Sequence, residues 1–288
     1  FFTSGYEGGN QLVIFPMFCN HLYQLFIVFL SPNLTLAVDC VIKQNCKSCH
    51  NPESINICDS CGLCIPSCEF DAIRLENGLV TYNIENCTKC DQCIYTCQKN
   101  ASPKLIDKSN QELIEDIRKR KDFIRGVTFS GGEATIHYKQ LIPLLKGIKA
   151  LGLTVFIDSN GYFDINEDFM PFIEVVDQFM IDLKFFEDTI HQYYTGVSNE
   201  KIKSNIQTLY KLDKLYEVRT VLYGNIDSVE TVKKISDYLP QDVLYKIIPY
   251  HTYGVRKEYV NEFTVPTEAQ LQEIQNYFIS SDRLFTIL

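Results

Sequence analysis

Positive charge is scarce along this 288-residue chain: 27 Lys and Arg stand against 36 Asp and Glu, the formal net charge is −9, and there is no basic run. Nucleic acid is therefore not an expected partner. Long apolar runs are lacking too. The most apolar stretch, Leu12 to Val38, is broken by Pro16, Asn20, His21, Gln24 and Pro32. Nothing reaches the ~18 uninterrupted apolar residues of a membrane span, so no membrane association is expected. The opening residues FFTSGYEGGN have neither the basic segment nor the small-residue cleavage site of a secretory signal. Without such a signal the twelve cysteines do not read as a secreted disulfide framework. A starting Met is also missing, which suggests a fragment. Apolar residues make up 45% and aromatics 12%, ample for the core of one barrel-sized domain or two smaller ones.

What is abundant is cysteine, and eight of the twelve fall in two runs: Cys58, Cys61, Cys64, Cys68 and Cys87, Cys90, Cys93, Cys97. Each run is C-x2-C-x2-C-x3-C, the spacing of bacterial two-cluster ferredoxins. Three cysteines two apart let a tight loop wrap one iron–sulfur cube, and the fourth departs to ligate the other. The expected sets are Cys58, Cys61, Cys64 and Cys97 on one [4Fe-4S] cluster, and Cys87, Cys90, Cys93 and Cys68 on the second. Structural zinc sites use paired C-x2-C knuckles instead. The proline usual after the fourth cysteine is absent: Glu69 and Gln98 stand there. Exposed low-potential clusters are damaged by oxygen, so a reducing, anaerobic cytoplasm is expected.

Past Lys99 the pattern alternates. Ser109 and Glu112 form a capping-box signature for a helix with Leu113, Ile114 and Ile117 on one face. Strands are expected at Gly126–Phe129, Leu153–Ile157, Phe179–Leu183, Tyr216–Leu222 and Leu244–Pro249. Helices are expected around Leu141–Ile148, Phe169–Val175, Lys201–Tyr210, Val229–Tyr238 and Glu268–Phe278. A first strand could be Gln11–Phe15 or Leu34–Val38. Such alternation means parallel βα units, and six strands suffice for a partial (β/α)6 barrel. Polar and Gly-rich residues gather where strands end, the end at which such barrels place their chemistry.

Cys46 and Cys49 form a second centre. The stretch Cys46-Lys47-Ser48-Cys49-His50-Asn51-Pro52-Glu53-Ser54 resembles the end of the C-x3-C-x2-C motif of radical S-adenosylmethionine (SAM) enzymes. Its C-x2-C-H-N-P-E form is similar to that of the glycyl-radical enzyme activating enzymes. Ser130-Gly131-Gly132-Glu133, Asp158-Ser159-Asn160-Gly161, Asp182-Leu183-Lys184 and Gly196-Val197-Ser198-Asn199 resemble that family in its order, over residues 45–255. The nearest likeness is to its YjjW-type branch, which carries a ferredoxin-type insert.

The resemblance implies an α/β fold: a partial (β/α)6 radical-SAM barrel with an inserted two-cluster ferredoxin-like domain. Residues 1–57 would hold the SAM-cluster loop, 58–98 the insert and 99–288 the rest of the barrel. It implies SAM, three [4Fe-4S] clusters and a monovalent cation as cofactors. SAM would lie against Gly131, Gly132, Glu133, Asp158, Ser159, Asn160, Asp182, Lys184, Arg219 and His251, with Lys184 and Arg219 at its carboxylate. The protein substrate would be a glycyl-radical enzyme, and the electron donor a flavodoxin or ferredoxin. One element is missing: a C-x3-C-x2-C motif ending at Cys49 needs cysteine at position 42, where Ile42 stands. Cys40 replaces it with a loop two residues longer; Cys19 would require a long inserted loop; a damaged N-terminus is the third alternative. Two other functions compete. One is an electron carrier without a SAM site; the other is a radical SAM enzyme acting on another substrate.

Overall fold

The computed structural model describes residues 6–7, 12–13, 16–19, 22–29, 60–88, 90, 92–98, 109–131, 133–252 and 261–288, the segments before residue 30 as backbone only. Cys40, Cys46, Cys49, Cys58, Gly132 and Leu34–Val38 lie outside the described residues. The chain forms two compact units that divide between Val155 and Phe156.

In the first unit β1 (Tyr6–Glu7) pairs antiparallel with β2 (Leu12–Val13), and β3 (Pro16–Cys19) with β4 (Leu22–Phe29). The hairpin β5 (Ile73–Glu76) and β6 (Leu79–Tyr82) turns at Asn77 and Gly78, with φ of 51° and 79°. Both central residues are left-handed, as the tightest hairpin turn demands. Helix α1 (Gln92–Thr96) and helix α2 (Asn110–Arg118) follow. The capping box at Ser109 and Glu112 is formed, and Leu113 and Ile117 are fully buried. β7 (Gly126–Gly131) runs parallel to β4, and α3 (Tyr138–Lys149) buries Leu141, Leu144, Leu145 and Ile148. Beyond α3, Gly152 adopts φ +81°, which suits a residue without a Cβ.

Among the described residues the first parallel strand is thus Leu22–Phe29; of the two segments expected from the sequence, Leu34–Val38 lies outside the described residues. Of Gln11–Phe15, the described residues Leu12–Val13 are strand and pair antiparallel with β1. The physical reason is the tract Leu25-Phe26-Ile27-Val28-Phe29, a continuous apolar run of the kind parallel strands need.

The second unit takes in most of β8 (Thr154–Ser159), followed by α4 (Met170–Val175), β9 (Gln178–Asp182), α5 (Asp188–Thr195), α6 (Glu200–Lys211), β10 (Leu215–Leu222), α7 (Ser228–Tyr238), β11 (Leu244–Pro249), α8 (Glu268–Ser281) and β12 (Phe285–Ile287). Neighbouring strands from β8 to β12 all pair in parallel. Phe179, Ile181, Val218, Tyr245 and Ile247 are fully buried on these strands. The expected strands and helices of this region are present within a few residues of their expected ends. Helix α5 and strand β12 are additions. No helix among the described residues is long and apolar enough to cross a membrane.

Candidate active site

Parallel pairing decides which polar side chains meet. Asp158 and Ser159 close β8, and Asp182 closes β9. Arg219 lies directly opposite Asp182 in the β9–β10 register. Its Nε donates to Asp182 Oδ1 at 2.8 Å, and its Nη2 makes a close ion pair with Asp158. Lys184 Nζ stands 3.6 Å from Asp182 Oδ2. Between Asp182 and Lys184, Leu183 is fully buried, as strand alternation predicts. Side-chain exposure is 14% for Arg219, 15% for Lys184, 19% for Asp158 and 29% for Asp182, so the four charges sit in a largely dry layer that remains open to a ligand.

Electrostatics keep Asp182 and Arg219 ionised. Burial works against the Asp182 carboxylate, but attraction to Arg219 and Lys184 outweighs it and holds its pKa below the usual range. Burial likewise opposes charge on Arg219; Asp158 and Asp182 overcome it and raise its pKa. One pair was missed from the sequence. Glu217 is fully buried, and Lys246 Nζ lies 2.9 Å from its Oε1 and 2.7 Å from its Oε2, the second contact being charge attraction outside hydrogen-bond geometry.

Each strand end leads into a tight loop. Ser159 Oγ accepts from Gly161 N at 3.0 Å, and Asn160 Oδ1 accepts from Tyr162 N at 2.8 Å. These bonds shape the loop itself. They do not cap a helix, since α4 starts only at Met170. Gly161 has φ +75°, and a Cβ there would come within 2.8 Å of Ile181 Cγ2. Glu133, in the other unit, is buried and caps the next turn: its Oε1 accepts from Thr135 N at 3.1 Å and Thr135 Oγ1 at 2.7 Å. Gly131 ends β7. His251 is exposed, two residues past β11. His191 packs into the core at 2% exposure; burial, then the Lys184 charge, lowers its pKa to about 4.

The described insert cysteines, Cys61, Cys64, Cys68, Cys87, Cys90, Cys93 and Cys97, form no disulfides. A small pocket is lined by Cys68, Cys87, Cys90 and Cys93, with Ala72, Ile73 and Tyr82 among its walls. These four cysteines are the set that the spacing pairs on one cluster. Ala72 N donates to Cys68 Sγ at 3.4 Å, a contact that suits a thiolate. Among the described residues no three His, Cys, Asp or Glu side chains converge on a point that one metal ion would fill. Ligands of a cube need not converge so closely, because each meets a different iron. Four cysteines lining one pocket are the donor chemistry that an iron–sulfur cluster uses.

A run of parallel strands with charged residues collected toward their carboxyl ends defines an α/β enzyme of the open or barrel kind. The chain belongs to the radical SAM superfamily, whose family model matches residues 43–239. That span contains Cys46, Cys49, Asp158, Asp182, Lys184 and Arg219, but neither Cys19 nor Cys40. Membership implies SAM and one [4Fe-4S] cluster. A Haemophilus influenzae protein with the provisional name glycyl-radical enzyme activating enzyme is 32% identical over 216 residues, covering 67% of this chain and 81% of that one. The 4-hydroxyphenylacetate decarboxylase activating enzyme of Clostridium scatologenes is 28% identical over 270 residues, 82% of this chain and 86% of its own. Streptococcus suis SuiB, solved with bound SAM, shares the fold at a TM-score of 0.50 and 14% identity, over 64% of this chain and 44% of that one. The paired cations and carboxylates at the strand ends fit the carboxylate and ammonium of SAM.

Proposed function

We propose that this protein is a glycyl-radical enzyme activating enzyme of the YjjW type. The observation that carries the reading is the match, along two thirds of the chain, to the Haemophilus influenzae relative of that name. A cluster held there would supply the one-electron reduction by which such enzymes cleave SAM to methionine and a 5′-deoxyadenosyl radical, and that radical would take hydrogen from a glycine Cα of the partner enzyme. The chain's own residues bind and orient. Arg219 and Lys184 receive the SAM carboxylate; Asp158 and Asp182 fix the guanidinium fork so that little is lost in ordering it. Ser159, Asn160 and His251 would contact SAM as well, with a monovalent cation; Gly131, Gly132 and Glu133 of the other unit are taken as SAM contacts from the family resemblance alone. Cys46 and Cys49 would hold the SAM cluster, with Cys40 favoured over Cys19 as third ligand.

Residues 58–98 would carry two further [4Fe-4S] clusters, one on Cys58, Cys61, Cys64 and Cys97 and the other on Cys68, Cys87, Cys90 and Cys93. The pocket lined by the second set supports this assignment. Such clusters reach potentials of about −400 mV, low enough to pass electrons from a flavodoxin or ferredoxin toward SAM. Cys61→Ser or Cys90→Ser should lower activation without abolishing SAM binding; unchanged activation in both would remove the relay. The setting would be an anaerobic cytoplasm, with no role for nucleic acid or membrane.

Ile42 favours one second reading, an electron carrier whose SAM cluster is lost. The test is 5′-deoxyadenosine formation by anaerobically reconstituted, reduced protein given SAM. Product that disappears in Cys46→Ala supports the activating enzyme. No product, with the insert iron intact, supports the carrier.

A further inference from the structure

Helix α6 and its cap carry two asparagines whose side chains do the same thing to two different loops. Asn205 is buried on the apolar face of α6 among Ile202, Ile206 and Leu209. Its Nδ2 donates to Gly161 O at 2.8 Å and to Phe163 O at 2.7 Å, both in the loop leaving β8. Asn199, fully buried at the start of the helix, donates from Nδ2 to Phe185 O and Phe186 O at 2.8 Å each, in the loop leaving β9. The amide orientation follows from the partners: two carbonyl oxygens accept only from an NH2 group. Asn199 is held in turn by Asp188 Oδ1, which accepts from its backbone N at 2.7 Å and from Ser198 Oγ at 2.8 Å.

These two loops begin at the residues assigned to SAM, Ser159 and Asn160 in one and Lys184 in the other. We infer that Asn199 and Asn205 are positioning residues: through them one helix fixes the β8 loop and the β9 loop relative to each other and so sets the spacing of the SAM contacts. The inference rests on the SAM reading of those loops. The residue type is demanding. A side chain here must offer two donors at asparagine length; serine has one, aspartate none, and glutamine is one methylene longer. Six residues separate the two positions, about 9 Å along a helix, so a rigid element and not a flexible one spans the distance.

The test uses the reconstituted protein with Asn199→Asp and Asn205→Asp. Asn199→Ala and Asn205→Ala serve wherever a carboxylate facing two carbonyls prevents folding. SAM affinity is measured by equilibrium dialysis well below the melting temperature, and amide hydrogen exchange is followed in peptides covering 158–165 and 183–188. Each variant is expected to weaken SAM binding at least about tenfold, the usual effect of losing a group that orients a ligand-bearing one. Exchange should accelerate only in the loop whose clamp was removed. Wild-type affinity in folded variants, or exchange rising across the whole unit, overturns the inference and leaves the asparagines as ordinary core contacts. If the wild-type protein itself fails to hold SAM, the functional reading falls. The exchange pattern then decides the clamp by itself: a local rise supports it, and a uniform rise or no change refutes it.

Discussion

Replacing Arg219 with Met would strip the one cation shared by Asp158 and Asp182. Lys184, at 3.6 Å from Asp182, would stay as a counter-charge. Removing one partner from a buried ion pair costs about 3–5 kcal/mol, because the other charge stays behind uncompensated. The carboxylates keep 19% and 29% exposure, so the lower end, about 3 kcal/mol, applies. At roughly 2–4 °C per kcal/mol for a domain of this size, the melting temperature near pH 7 should fall by about 6–12 °C. The pH dependence has a definite sign. In the wild type, burial raises the Asp182 pKa but Arg219 and Lys184 more than offset it, leaving it below the ordinary 3.8. A depressed carboxylate stabilises the fold above its unfolded pKa, and that stability is lost as pH falls through the folded value. In Arg219→Met the larger attraction is gone and burial, the largest influence on Asp182, faces Lys184 alone, so the folded pKa rises and protonation relieves the variant as pH falls. The gap between wild type and variant should therefore narrow near pH 5. Anaerobic scanning calorimetry at both pH values measures it. A melting shift below about 2 °C near pH 7, or a gap that widens on acidification, would refute the reasoning.

His191 is held neutral in the fold, with a pKa of about 4 against 6.5 unfolded. Its contribution is complete above 6.5 and is lost as pH falls from there toward 4, about 3 kcal/mol at 1.36 kcal/mol per unit; His191→Leu should flatten the stability slope over that window. Gly161→Ala should cost at least about 1–2 kcal/mol, since its φ of +75° disfavours a Cβ that would also press on Ile181 and Ile202; an unchanged melting temperature would contradict the loop geometry. Lys246→Met should destabilise by about 3–5 kcal/mol by leaving Glu217 fully buried without the cation it pairs with, whereas the double variant Glu217→Leu with Lys246→Met should recover much of that loss. A double variant as unstable as the single one would show that packing, not charge, is at stake.

How legible these features were depends on the range of the interaction. The Ser109–Glu112 box and the apolar periodicity of α3 are local, and they appear in the structure where the sequence put them. Asn77-Gly78 was an equally local hairpin signal, and it passed unread inside the cysteine-rich stretch. Helix α5 has a buried stripe of only His191 and Thr195, too short for periodicity to announce. Asn205 interrupts an otherwise apolar stripe, a signal that something polar awaits it, but its acceptors lie 42 and 44 residues away. Pairing across strands is the hardest to read, because period alone says which face a residue takes and only register says whom it meets.

Glu217 shows how far the sequence could have been pushed. Residues two apart in a strand share a face, so an Arg219 that turns toward Asp158 and Asp182 takes Glu217 with it. A glutamate carried inward needs a cation from an adjacent strand, because an unpaired buried carboxylate is too costly to keep. On β11 the expected strand Leu244–Pro249 offers a single cation, Lys246, and it lies opposite Arg219 in the register. The pair followed from placing Arg219 at the site. What the sequence could not supply was the face of the sheet on which Arg219 would lie, and that depends on Asp158, 61 residues earlier in the chain.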